Sequence, residues 1–124
     1  MTVFRMQDKC PMAAPPQTPL CRLDEIAEGE PSAVEATLPE GTESLILLRR
    51  GDSVCAWRNV CPHAGRRLDW APGRFLRSGD TLICAAHGAS FRLADGLCVG
   101  GPCRGQQLQA VPVRVAEGAV WLDG

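Results

Sequence analysis

The sequence predicts an all-β domain, and three observations lead to that prediction. Seven short apolar runs, at 32–37, 44–50, 52–59, 81–85, 90–93, 108–116 and 119–122, have the length and β-branched content of strands. The segments between them, PEGT, RGD, RSGD, ADG and AEG, are turn chemistry, with a glycine ready for positive φ in each. Only 23–29 (LDEIAEG) offers a helical pattern, and it is long enough for a turn or two.

Taken in order, the elements begin after a different kind of segment. Residues 1–19 hold Pro11, Pro15, Pro16 and Pro19, each fixing its own φ and lacking a backbone donor, so this stretch reads as an extended, polyproline-like N-terminal extension. The domain proper is expected over 20–124. Arg50-Gly51-Asp52 lies between two apolar runs and reads as a hairpin turn, not as an adhesion motif. No repeat of 20–50 residues is present.

At 124 residues, with 45% hydrophobic and 22% charged side chains, the chain fits one ordinary globular domain. No run of 18 apolar residues is found, so no membrane span is expected, and the first 20 residues lack a signal-peptide pattern. A cytoplasmic location is the expectation. A net charge of −1 argues against a nucleic-acid partner. The charge is uneven: residues 1–43 hold eight acidic and three basic side chains, and 44–124 hold six acidic and ten basic. Seven cysteines, an odd number, favour metal ligation over a disulfide scaffold in such a protein.

Both histidines of the chain sit close behind a cysteine. Cys61-Pro62-His63 forms a C-x-H element and Cys84-Ala85-Ala86-His87 a C-x-x-H element, with twenty residues between them. Soft thiolates combined with imidazoles suit an iron–sulfur cluster or zinc, and not magnesium or calcium. Zinc fingers place cysteine pairs before histidine pairs, whereas here the two types interleave. Gly65 and Gly88 follow the two histidines closely; glycine lets backbone N–H groups approach strongly accepting sulfur.

The segments CPHAGRRLDW (61–70), CAAHGASFRLADG (84–96) and GGP (100–102) resemble those of Rieske [2Fe–2S] proteins. The resemblance covers roughly residues 20–122. It implies an antiparallel sandwich or barrel with two cluster-binding loops at one tip, and one [2Fe–2S] cluster per chain. It further implies that Cys61 and Cys84 hold the inner iron and His63 and His87 the outer one, with a covering loop at Gly101-Pro102. Respiratory, high-potential members carry an extra cysteine in each ligand loop. Here Arg66 and Ala86 stand there, so that bridge is absent. Their serine and tyrosine donors are replaced by Ala89 and Phe91, and the chain has no tyrosine. Fewer hydrogen bonds to sulfur imply a low potential, so the sequence resembles the Rieske-type ferredoxins.

That resemblance implies a small soluble carrier of single electrons with no catalytic residue of its own. It would be reduced by a flavin- or iron–sulfur-containing reductase and oxidised by a terminal oxidoreductase such as a ring-hydroxylating oxygenase. A cluster-bearing small subunit held in a nitrite-reductase-like complex and a zinc-stabilised binding module stay open as alternatives. Arg66 and Arg67, with Arg92 and Arg104, are candidates for a positive docking rim; pairing with Asp69 and Asp95 is the competing reading. Cys55 reads as a small buried hydrophobe, Cys98 and Cys103 as two free thiols flanking the covering loop, and Trp57, Trp70 and Trp121 as packing residues. Cys10 and Cys21 have no partner at ligand spacing.

Overall fold

The computed structural model describes residues 19–38, 41–62, 65–85 and 88–123. Among these, three antiparallel sheets form from strands β1 (Cys21–Arg22), β2 (Pro31–Leu38), β3 (Gly41–Arg50), β4 (Ser53–Arg58), β5 (Leu76–Ser78), β6 (Thr81–Ile83), β7 (Ser90–Arg92), β8 (Cys98–Gly100), β9 (Val113–Ala116) and β10 (Ala119–Leu122). Their orders are β2-β3-β4, β9-β10-β1 and β5-β6-β7-β8. The expected all-β class is what is found, and the helical pattern at 23–29 yields only a 3-10 turn at Leu23–Glu25.

Strand β3 is the spine. Leu45, Ile46, Leu47 and Leu48 are all buried, so both faces of this strand meet apolar partners. Ile46 and Leu48 join Trp57, Leu68, Leu82, Phe91, Leu93 and Leu108 in the largest core, which also holds Cys61, Cys84, Cys98 and Cys103. Leu47, on the other face, packs with Ile26, Ala56 and Val120 against the β9-β10-β1 sheet. Adjacent residues point to opposite faces of a strand, so one segment supports two cores. The register Ile46↔Trp57 and Leu47↔Ala56 carries the same division into β4.

Several expectations shift. The run at 108–116 pairs as a strand only over Val113–Ala116, with an isolated bridge at Ala110; Pro112 cannot donate to a ladder. Three short strands, β1, β5 and β8, lie outside the expected runs, because CR, LRS and CVG mix in polar residues or glycine and show no apolar run. Cys55 is exposed, not buried: it shares the Trp57 face of β4 but lies toward the hairpin end of the strand, where Ser53 is exposed as well. Trp57 is core as expected, and Trp121 is half-buried with Nε1 donating to the Ala116 carbonyl at 3.1 Å. Trp70 does not pack inward: it is 57% exposed and stacks on Arg74, whose guanidinium carbon lies 5.6 Å from the ring centre. The proline-rich segment, Cys10 included, lies outside the described residues except for Pro19.

Candidate metal centre

Cys61 follows β4 and Cys84 follows β6, and each opens a loop with the same backbone pattern. The Cys61 N–H donates to the Arg66 carbonyl at 2.7 Å, and the Cys61 carbonyl accepts from Gly65 N–H at 2.8 Å. The Cys84 N–H donates to the Ala89 carbonyl at 2.7 Å, and the Cys84 carbonyl accepts from Gly88 N–H at 2.9 Å. The offsets are identical, five residues forward and then four. Gly65 at φ 66° and Gly88 at φ 75° occupy the left-handed region, which makes glycine the residue that closes each loop without strain. A further bond, Ala85 N–H to the Leu68 carbonyl at 3.1 Å, ties the second loop to the end of the first.

Both thiols are buried, Cys61 fully and Cys84 at 1% exposure, and both belong to the same core. Two equivalent loops thus deliver two thiols to the core that Ile46 and Leu48 of β3 also join. This donor chemistry fits an iron–sulfur cluster. His63 and His87 lie outside the described residues.

A polar frame holds the first loop. Asn59, 1% exposed, accepts from Leu68 N–H at 2.9 Å and donates to Ser44 Oγ at 3.2 Å. The Arg67 guanidinium grips Asp69 with two bonds, at 2.9 and 2.7 Å, and reaches Glu35 at 3.7 Å. Asp69 also accepts from Gly73 N–H at 3.1 Å. Burial alone would raise the Asp69 carboxyl, but the bonds from Arg67, Gly73 and Asn59 outweigh it and hold the group below the usual range. Arg92 grips Asp95 in the same forked manner, at 3.0 and 2.6 Å, which draws the Asp95 carboxyl down to about 2. Arg67 and Arg92 are therefore paired rather than offered to a partner. Arg66 and Arg104 are exposed and pair with no carboxylate among the described residues.

The segment after β8 lies against the second loop. Gly101, at φ 89°, lies so close to the second loop that a Cβ there would sit 2.9 Å from Ala89 Cα. Pro102 follows it, exposed. Cys98 and Cys103 are each 1% exposed, with sulfurs 3.2 Å apart, unbonded as expected. Burial first, then the Cys98 and Cys61 sulfurs, push the Cys103 thiol up to about 12. The shared burial of Cys103 with Cys61, like the Asn59 frame, had no signal in the spacing of the sequence. Both depend on which strand ends meet.

The sequence from 17 to 115 matches the Rieske [2Fe–2S] domain. The chain belongs to the Rieske family. It therefore takes one [2Fe–2S] cluster, whose chemistry is the uptake and release of one electron. A ferredoxin from Sphingomonas yanoikuyae B1 is 27% identical, covering 88% of this chain and 99% of its own, with a TM-score of 0.66. A chain from an oxygenase–ferredoxin complex of carbazole 1,9a-dioxygenase is also 27% identical with a TM-score of 0.67, covering 86% of this Rieske chain but only 29% of its own. Oxidoreductase NdmD of Pseudomonas putida is 31% identical over 88 residues, 65% of this chain. The chain spans only about a seventh to a fifth of the length of the curated relatives it matches. Its likeness to that ferredoxin extends over nearly the ferredoxin's whole length. No helix among the described residues is long and apolar enough to cross a membrane.

Proposed function

We propose that this protein is a cytoplasmic carrier that takes single electrons from a flavin- or iron–sulfur-containing reductase and delivers them to a terminal oxygenase of the ring-hydroxylating class. The observation that supports this most is the pair of matched loops at Cys61 and Cys84, closed by Gly65 and Gly88 and tied together through Leu68 and Ala85. In this reading Cys61 and Cys84 hold one iron and His63 and His87 the other. The cluster supplies the one-electron couple; the chain keeps the two thiols out of water and fixes their spacing. The cover at Gly101-Pro102 excludes solvent from the same side. The domain proper is residues 20–124, following the proline-rich extension.

Docking follows from the charges left unpaired near the first loop. Arg66 and Arg104 face solvent without a carboxylate partner among the described residues, and the exposed Trp70 follows the same loop. Together they suit a partner that offers an acidic rim around an apolar centre. Arg67 has a different role: its fork on Asp69 positions the loop.

The test is rapid mixing of the reduced, desalted protein with an oxidised ring-hydroxylating oxygenase. Reoxidation by one electron per chain, at a rate that saturates with oxygenase concentration, is the expected result. If a ferredoxin of such a system is reoxidised while this protein stays reduced, delivery to this class of acceptor is overturned.

A further inference from the structure

We infer that Cys98 and Cys103 form a redox-modification site: a dithiol that closes to a disulfide and, in closing, withdraws the Cys103 thiol from Cys61. The two sulfurs are 3.2 Å apart, against about 2.05 Å in a disulfide, so closure asks for a shift of about 1 Å shared between two side chains. The backbone already holds the two residues together. Cys98 N–H donates to the Gln106 carbonyl at 2.7 Å, Gly105 N–H to the Cys98 carbonyl at 3.0 Å, and Gln106 N–H to the Cys103 carbonyl at 2.9 Å. Four residues separate the cysteines, and two of them, Gly100 and Gly101, are glycines that absorb the local change.

Cys103 donates to Cys98 at 3.2 Å, and both lie in the buried core that also holds Cys61. Its single S–H serves one acceptor at a time, and a metal-bound thiolate at Cys61 is the stronger acceptor. Cys98 meanwhile donates to the Gly100 carbonyl at 3.1 Å. Disulfide formation removes both S–H groups, so no neighbouring thiol is left to turn its proton to the Cys61 thiolate. Hydrogen bonds to ligand sulfur stabilise the reduced cluster, and the oxidised cover therefore lowers its potential.

The oxidant is a small disulfide such as oxidised glutathione. One protein sulfur bonds to a glutathione sulfur and releases the first glutathione thiol; the second protein sulfur displaces the other. Two protein S–H groups are lost, one S–S bond forms, and one small disulfide becomes two thiols. Because both sulfurs are buried, exchange waits on opening of the cover and is slow.

The experiment incubates the anaerobic, cluster-loaded protein with oxidised glutathione, removes the reagent, and alkylates under denaturing conditions with and without prior reduction. The midpoint potential of the treated sample is read by voltammetry alongside its iron content. Wild type is expected to lose two alkylatable thiols to an internal disulfide, apart from any glutathione taken up by the exposed Cys55, and its midpoint to fall. Cys98→Ser and Cys103→Ser, tested separately, are expected to lose no thiol pair and to show no such fall on treatment. A wild-type thiol count equal to that of the untreated protein overturns the site. A disulfide that forms without moving the midpoint overturns its link to Cys61.

Discussion

The likeness to Rieske proteins puts Ala89 and Phe91 where high-potential members carry hydroxyl donors, and on that reading these two residues set a low potential. Both are fully buried, and Phe91 lies opposite Leu82 on one side and Cys98 on the other, so water does not replace the missing donors. Ser90, the one hydroxyl nearby, lies on the opposite face of β7. A midpoint near the low end of the Rieske range, about −150 mV, is expected by voltammetry, and a value above about +150 mV contradicts this reading. Changing Ala89 to Ser and Phe91 to Tyr together raises it. Asp69 makes a second prediction at this scale. Its folded pKa lies below the unfolded carboxyl value, so its contribution to stability is complete above about pH 4 and lost as pH falls through the folded value. Asp69→Asn is expected to cost about 1–3 kcal/mol in urea unfolding at neutral pH, and to lose that part of the acid limb.

At the scale of elements, the covering loop and β3 respond differently to substitution. Gly101→Ala meets both a positive φ and a contact of 2.9 Å with Ala89 Cα, and the φ alone costs about 1–2 kcal/mol. Faster loss of visible absorbance in the presence of an iron chelator is the expected readout, since the cover can no longer seat on the second loop. Leu47→Ala, on the face of β3 away from the cysteines, is expected to lower global stability by about 2–5 kcal/mol while leaving the cluster spectrum unchanged. Strands of six or more residues were legible because a run such as 44–50 is strongly apolar. Strands such as β5 and β8 exist through pairing with neighbours, which no local pattern records. The cysteine–histidine elements were legible from spacing alone, whereas the equivalent hydrogen bonds concern Cys61, Cys84 and their closing glycines. Trp70 was misjudged because aromatic residues are more often packed than exposed; its guanidinium neighbour, four residues on, settles it on the surface.

For the molecule as a whole, the proposed docking turns on charge. With two thiolates, two ferric ions and two sulfides summing to zero, the oxidised holoprotein keeps its net charge of −1, so steering depends on local arginines and not on total charge. Arg66→Gln is expected to slow reduction by the cognate reductase at low salt and to flatten the salt profile. Arg67→Gln acts instead through loop stability, and leaves the slope of that profile unchanged. Equal rates and equal slopes for wild type and Arg66→Gln place docking on apolar contact alone. The central claim is that the two loops together hold a cluster with mixed thiolate and imidazole ligation. Its most direct test is electron paramagnetic resonance of the anaerobically purified, dithionite-reduced protein, with iron, sulfide and zinc measured on the same sample. About two irons and two labile sulfides per chain, with the low average g-value of mixed cysteine–histidine ligation, is the result expected. A colourless, zinc-loaded protein with no signal on reduction would contradict it.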